Sequence, residues 1–483
     1  MEKILPLIKK EIKKIPYLAT LKNLAKDLDL EIYLVGGVLR DIFLLGGFRK
    51  PDFDFALNKN SLRFAKAFSS LVKGRVVILD KILRNIRVVV RRSNRILNYD
   101  FSRFRGKDVL KDLERRDFTI NSLALKIETL PQIEVVDYLN AQRDFKKKLL
   151  RCNSSASFVD DPLRILRAFS ISGLYGLKIE KNTQRLIKEN KKLLRTVAGE
   201  RISEEFFKIL SIPFSLPVLK SMDTLGVLEE IFPEVKPMKG LHQGPYHHLD
   251  VWGHSLETLR CFEFLIERRL KKDENILSYL NQEVAQKRTR LQLIKFSCLF
   301  HDIGKPPAKI RKKKKTLFYG HEKIGQELIE GICRRMRLSL REEEFIKRLI
   351  YFHLRPGYLA DVRKPTSRAI YRYFRDTQDE AIAVLILSLS DWRATRGPKT
   401  SSQKRRAHEK VIFSLIEEYF RRTQTKLLRR LVNGYDVMKK LKISPSPLVG
   451  EVLKKIEEKQ ALGQIKTKKE ALSWASKYVK RKN

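Results

Sequence analysis

The chain has 483 residues, too many for one ordinary core and enough for about three domains at ~150 residues each. Its hydrophobic fraction of 43% supports globular cores and excludes a wholly disordered chain. Lysine and arginine total 101 against 56 acidic residues, a net charge of +45, which points to a polyanionic partner, nucleic acid first. A lysine-rich surface serving only solubility is the bland alternative. Four scattered cysteines (Cys152, Cys261, Cys298, Cys333) lack CxxC spacing. They exclude a zinc ribbon and a disulfide framework and fit a reducing cytosol. The stretch Met1-Glu2-Lys3-Ile4-Leu5 has no signal-peptide core, and the apolar run Ala381 to Leu387 is too short to span a bilayer. A soluble, cytoplasmic protein with no membrane partner is expected.

Residues 1–30 read as one or two amphipathic helices punctuated by Pro6 and Pro16. Ile32-Tyr33-Leu34-Val35 then reads as a buried strand ending at Gly36-Gly37, where the missing Cβ atoms allow a sharp turn and a close ligand. Val38 to Leu45 reads as a helix whose free N–H groups suit a triphosphate, with Arg40 one turn in to add a charged contact. In Pro51-Asp52-Phe53-Asp54-Phe55 the alternation of a second strand puts Asp52 and Asp54 on one face. Paired carboxylates beside a phosphate cradle suit Mg²⁺ bridging to a nucleotide. Either signal alone reads as a turn or a solvated strand end; the ordered combination carries the reading.

Ser61 to Val72 is expected as a helix capped by Ser61, and Arg75 to Leu79, Ile86 to Val90 and Ile96 to Phe101 as strands. Asp100 on the last of these is placed to add a third carboxylate, or else is an exposed strand residue. After the short polar link Arg103 to Lys107, Arg116, Asp117 and Asn121 are of the types that contact ribose and phosphate. By composition alone that segment is an ordinary charged helix start. Asp160-Asp161-Pro162 opens a further helix, and the spacing of Asp161, Arg164 and Arg167 predicts one shared face. An Asp acceptor and an Arg donor there could bond the edge of a base, although a plain N-cap explains the aspartate equally. Gly199 to Glu205 reads as the start of a structural helix.

Together, Gly36-Gly37…Arg40-Asp41, Asp52-x-Asp54, Arg115-Arg116-Asp117-Phe118-Thr119-Ile120-Asn121 and Asp160-Asp161-x-x-Arg164-x-x-Arg167 resemble the class II tRNA nucleotidyltransferase and bacterial poly(A) polymerase family. The resemblance spans roughly residues 30–235. It implies a polymerase-beta-like head that transfers nucleotides from CTP and ATP to the 3′ hydroxyl of tRNA. It assigns Mg²⁺ to Asp52 and Asp54, the triphosphate to Gly37 and Arg40, ribose or phosphate to Arg116 and Asp117, and the base to Asp161 and Arg164 with Arg167 close by. Three departures stand out: Asp160 where the family has Glu, Ser170 where an arginine is common, and a short link between Arg105 and Asp112. In the family a longer loop there accompanies the switch to adding the final A, so the short link keeps a CC-adding enzyme open.

Among eight histidines, His254, His301-Asp302, His321 and His353, followed by Asp391, form a series suited to one or two divalent metals. His301-Asp302-Ile303-Gly304-Lys305 resembles the HD phosphohydrolase signature, and the full order resembles its binuclear variant. This implies phosphoester hydrolysis, with Lys305 stabilising phosphate charge. His247 and His248 are left out as ligands. Residues 267–290 and the run Arg311 to Lys315 read as solvated, and the stretch after residue 400 as basic helix able to grip a phosphate backbone.

The expected architecture is an α+β multidomain chain. Residues 1–150 form a polymerase-beta-like nucleotidyltransferase head, 151–240 an all-helical neck carrying the base-templating helix, 241–400 an HD domain and 401–483 a basic helical tail. The leading function is a tRNA 3′-end nucleotidyltransferase adding C and/or A without a nucleic acid template. The alternatives are a CC-adding specialist, a poly(A) polymerase, an HD-type RNA phosphodiesterase or phosphatase with an RNA-binding head, and, last, a pure RNA-binding scaffold.

Overall fold

The computed structural model describes residues 4–481 apart from 50, 81–84, 94, 286, 313–314, 363–364 and 425–429. Met1 to Lys3, Lys313, Lys314, Lys482 and Asn483, all part of the sequence expectations, lie outside the described residues. The chain divides into two compact units: residues 1–212 with 217–231, and residues 213–216 with 232–483.

The first unit is built on a seven-stranded mixed sheet of β1 (Ile32–Val35), β2 (Asp52–Leu57), β3 (Arg75–Asp80), β4 (Asn85–Arg92), β5 (Arg95–Arg103), β6 (Ala124–Lys126) and β7 (Val135–Val136), in the order β3-β4-β5-β2-β1-β6-β7. Alternation sets its faces. Phe53, Phe55, Tyr99 and Phe101 are fully buried, and Phe64 and Phe68 of the Ser61–Val72 helix pack edge-on against the rings of β5. The intervening residues of β2, Asp52 and Asp54, point the other way. Antiparallel pairing sets Val35 opposite Asp54, and the parallel β2–β5 pair sets Asp54 beside Asp100.

Ser61 is not the cap that its type suggests. Asn60 holds the N-cap position in a left-handed conformation, which asparagine tolerates, and Ser61 is the first helical residue. Beyond the sheet the unit continues in helices Arg164–Tyr175, Lys181–Asn190 and Gly199–Leu210. Asp161 is not on the helical face predicted for it. Its backbone is extended (φ −148°, ψ 97°), between the short Ser157–Asp160 turn of helix and Arg164–Tyr175.

The second unit is helical, with Val251–Arg268, Arg290–Phe300, His321–Arg335, Leu340–Phe352 and Ala381–Ala394 as its main members. The Ala381–Ala394 helix is apolar almost all round and buried, as a central helix must be. Gly304 permits a close approach: a Cβ there would lie 2.0 Å from the His321 carbonyl oxygen. Residues 267–290 are not simply solvated. They contain a helix, Glu274–Asn281, capped by Asp273 and burying Ile276, Tyr279 and Leu280. They also contain Arg288, whose guanidinium pairs with Glu342 at 3.0 Å in the interior. The helix is only eight residues long and follows the charged run Arg268 to Asp273, which hid it. After the long Ser402–Gln424 helix, helices Gly434–Leu441, Pro447–Ala461 and Lys468–Lys480 enclose a small core of their own around Val437, Val452, Ile456, Ala471 and Ala475. Among the described residues no helix is long and apolar enough to cross a membrane.

Candidate active site and metal centre

In the first unit a cavity of about 430 Å³ opens where β1, β2 and the helical residues beyond Arg116 meet. Gly36 starts it. Its φ of 76° lies in the region that favours glycine, and a Cβ there would stand 2.8 Å from Asp54 Oδ2, so any side chain would strike the carboxylate. Gly37, Arg40, Asp54, Arg116, Asp117 and Asn121 line the cavity from the sheet side, and Asp161, Arg164 and Arg167 line it from the neck. The residues expected to touch nucleotide, from Gly36 to Arg167 along the chain, thus line one shared cavity.

The carboxylates are arranged unequally. Asp52 is exposed at the start of β2 and accepts a hydrogen bond from Asn98 Nδ2 at 2.6 Å, outside the cavity lining. Asp54 lines the cavity; burial and the neighbouring Asp100 charge push its carboxyl up to about 6, against the pull of Arg116 and Arg167. Asp100 receives both Nε and Nη2 of Arg87 at 2.7 Å, a bidentate partner that balances its charge only in part, since it still acts on Asp54. Asp52, Asp54 and Asp100 therefore lie on one face, with Asp54 alone free to face the cavity. Oxygen donors of this kind suit a hard divalent cation.

The arginines are held in place by their own acceptors. Arg40 donates to Asn121 Oδ1 at 3.0 Å and to Tyr175 Oη at 2.6 Å. Arg116 grips Asp112 Oδ2 at 2.8 and 3.0 Å, and Arg164 donates to the carbonyl of Arg115 at 3.0 Å and to Ser157. Asp117 is saturated: Oδ1 accepts from Asn121 and the Phe118 N–H, Oδ2 from Arg167 Nε and Nη2 at 3.0 and 2.7 Å. Burial pushes its carboxyl up, but the Arg167 charge and these bonds outweigh it and hold it at about 2. It is built to fix Arg167 rather than to offer a free acceptor to a ribose.

Two lining residues escaped the sequence reading, Arg105 and Arg201. Arg201 pairs with Asp161 at 3.1 Å, from a helix that by sequence is only structural. Nothing in its local spacing distinguishes it. Burial, then the Arg116 charge, lowers the affinity of the Arg105 guanidinium for its proton. The short link is tied down: the Arg105 N–H donates to Asp112 Oδ1 at 3.1 Å, and Asp108 caps the Val109–Glu114 helix. Ser170, at the position where an arginine is common, is buried and donates to Glu205 Oε2 at 2.8 Å, away from the cavity lining.

In the second unit, six residues from five separated segments converge. His254 Nε2 lies 2.8 Å from Asp391 Oδ1, His301 Nε2 3.2 Å from Asp302 Oδ2, and His321 Nε2 3.3 Å from Asp302 Oδ1, with His353 Nε2 3.8 Å from the same oxygen. They form two groups, His254/His301/Asp391 and Asp302/His321/His353, each compact enough for one ion. Nδ1 of His301, His321 and His353 lies 3.0, 2.8 and 2.6 Å from the backbone carbonyls of Cys298, Phe318 and Ile350. Those bonds fix the donor on Nδ1 and aim the Nε2 atoms inward. All three Nε2 atoms are buried without a hydrogen-bond partner. Burial, then the His301 charge, pushes His353 down to about 3, keeping it neutral with a lone pair to give. This donor set fits one or two divalent cations. Lys305 Nζ bonds Asp302 Oδ2 and Gln243 Oε1, each at 2.6 Å. His247 stacks edge-on over His254 at 4.6 Å and is not in either group.

A glycine-opened cavity lined by arginines beside a mixed sheet, in a chain that also carries an HD-type helical unit, defines the class as a nucleotidyltransferase with an HD domain. Comparison with known proteins agrees. The family model described as the poly A polymerase head domain matches residues 32–151, the HD domain model matches 251–396, and a model named for a second tRNA nucleotidyltransferase domain matches 402–475. The chain is 30% identical to the A-adding tRNA nucleotidyltransferase of Deinococcus radiodurans, covering 92% of this chain and 95% of that one. It is 28% identical to the CC-adding tRNA nucleotidyltransferase of Thermus thermophilus, with 91% and 92% covered. The Thermotoga maritima CCA-adding enzyme complexed with tRNA shares the fold at a TM-score of 0.65 and 21% identity, covering 99% of this chain and 98% of that one. The chain belongs to the tRNA nucleotidyltransferase family and is an enzyme of nucleotidyl transfer.

Proposed function

We propose that the protein extends the 3′ end of tRNA with C and/or A residues taken from CTP and ATP. The observation that carries this is the cavity in which Gly36, Gly37, Arg40 and Asp54 meet Asp161, Arg164 and Arg167. In the reaction the RNA 3′ oxygen bonds to the α-phosphorus as the bond to pyrophosphate breaks. Gly36 and Gly37 leave room for the phosphates, Arg40 and Arg116 balance their charge, and Asp161 with Arg164 offers an acceptor and donors to the base edge. Asp54, with Asp52 at the start of the same strand, would hold Mg²⁺, which would supply further charge neutralisation at the phosphates. Because the base reader is protein, no template strand is required. The test uses three tRNA transcripts, ending at the discriminator base, after C and after CC, each incubated with Mg²⁺ and CTP, ATP or both, and sequenced at the 3′ end. Completion to CCA on the first identifies a full enzyme; a stop at CC, or addition of A only to the third, identifies a specialist. No addition to any of them overturns the reading.

A second activity is favoured by the three inward, unpartnered Nε2 atoms of His301, His321 and His353. With His254, Asp302 and Asp391 they would hold one or two divalent metals, which would supply Lewis acidity for phosphoester hydrolysis. Lys305 neutralises phosphate charge beside Asp302. Metal content measured on the purified protein, compared with a His301→Ala/Asp302→Ala variant, tests the centre: equal metal in both overturns it.

A further inference from the structure

Six arginines surround a second cavity, of about 650 Å³, in the helical unit: Arg260, Arg268, Arg393, Arg396, Arg405 and Arg406. They come from three segments, the Val251–Arg268 helix, the end of the Ala381–Ala394 helix with the turn after it, and the first turns of Ser402–Gln424. Little acid answers them. Glu409 also lines the cavity and is held by Arg393 at 2.9 Å, and Glu257 binds Arg260 at 2.6 and 2.8 Å. Arg268, Arg396, Arg405 and Arg406 make no carboxylate contact among the described residues. Guanidinium forks gathered in excess over the nearby carboxylates favour phosphate, which they bind in bidentate fashion.

The cavity also has an aromatic face. Phe264 lies in its lining, 37% exposed, with the guanidinium carbons of Arg260 and Arg268 each 5.4 Å from its ring centroid and Phe214 at 5.5 Å. An exposed ring among arginines is the combination that stacks an unpaired base while the backbone is held. Arginines on three segments offer contacts to several phosphates in succession, more than one mononucleotide carries along a strand. The helix that supplies His254 supplies Arg260 two turns later, ~9 Å along its axis, and the helix that supplies Asp391 ends at this cavity.

We propose that this arginine cavity is an RNA-binding site for an unpaired strand, its phosphates on the guanidinium groups and one base on Phe264. It is separate from the nucleotide cavity of the first unit and uses none of its residues.

The test measures binding of an end-labelled 12-nucleotide single-stranded RNA to the full-length protein by fluorescence anisotropy over a range of salt. Arg396→Glu/Arg406→Glu, which alters two exposed side chains, should weaken binding at least tenfold. It should also lower the log–log salt slope by about 1.4, two contacts at ~0.7 each. Phe264→Leu should weaken RNA binding several-fold and leave tripolyphosphate binding unchanged. Nucleotide addition to a tRNA transcript at saturating substrate should be unaffected in all variants, which also certifies their folding. A matched reversal of exposed charge, Lys9→Glu/Lys10→Glu, serves as control. An equal loss in that control, unchanged RNA affinity in Arg396→Glu/Arg406→Glu, or loss of tripolyphosphate binding with RNA binding retained would each overturn the proposal.

Discussion

In the proposed reaction Asp54 is the carboxylate that faces the cavity, and its environment sets a pH limit. Burial and the Asp100 charge push its carboxyl up to about 6, so below that pH it takes a proton and would no longer bind the cation proposed for it. Nucleotide addition at limiting Mg²⁺ should fall about tenfold per unit as pH drops below that value. Asp100→Asn, by removing the charge that raises Asp54, should move the inflection of the pH–rate profile downward; an unmoved inflection would assign it elsewhere. Replacing Asp52 and Asp54 together by Ala should lower the addition rate at least about a thousandfold, ~4 kcal/mol, and leave the metal content of the HD centre unchanged. Asp117 shows the opposite sign. Its folded value of about 2 lies below the ordinary range, so its contribution to stability is present above pH ~4 and is lost as pH falls through 2. With the Arg167 side chain partly exposed, Asp117→Ala should destabilise the first unit by about 2 kcal/mol, read as a lower midpoint in urea at pH 7.

At the scale of elements, the site depends on backbones that approach closely. Gly36→Ala puts a Cβ against Asp54 and forces a side chain into a φ of 76°. Its addition rate should drop at least a hundredfold while circular dichroism stays that of the parent. The Arg201–Asp161 pair joins the Gly199–Leu210 helix to the extended residue that precedes the templating helix. Arg201→Ala leaves Asp161 without that partner and should change the ratio of kcat/KM for CTP against ATP, whereas a merely structural arginine would lower both alike. In the second unit the corresponding hinge of packing is Gly304, whose contact with the His321 backbone leaves no room for a methyl group. Gly304→Ala should separate Asp302 from His321 and lower retained metal, measured by mass spectrometry on the purified protein.

Across the whole molecule, two sets of polar residues sit in two separate units, one lining the cavity proposed for a triphosphate and one grouped closely enough to hold metal ions. The net charge of +45 provides the common element, a surface that attracts RNA whichever chemistry follows. Affinity for tRNA should fall steeply between 50 and 200 mM salt, as counterion release requires, and a flat salt dependence would remove the electrostatic account. The charge is not evenly used. Many arginines are spent on internal acceptors, as Arg116 is on Asp112 and Arg288 is on Glu342, while those of the 650 Å³ cavity are largely not.

Strand periodicity in Asp52-Phe53-Asp54-Phe55, the Gly36-Gly37 turn and the order of the histidines were legible in the sequence because each rests on local rules: a period of two, a missing Cβ, a ligand type. Arg116, Asp117, Asn121, Asp161, Arg164 and Arg167 stand out through the family resemblance of the ordered segments, where local rules alone leave them ordinary. Those rules could not reveal that Asp117 is saturated by Arg167 fifty positions later, that Arg87 pairs with Asp100, or that Arg201 reaches Asp161. Those pairings follow from which strands lie side by side and which helices meet, and no spacing encodes them. The arginine cavity belongs to the same class, since its members are unremarkable on each helix and acquire meaning only where three segments converge. Chemistry by residue type was thus determined by the sequence itself; which of those residues are free to act was decided by the tertiary structure, through burial and the partners it imposes.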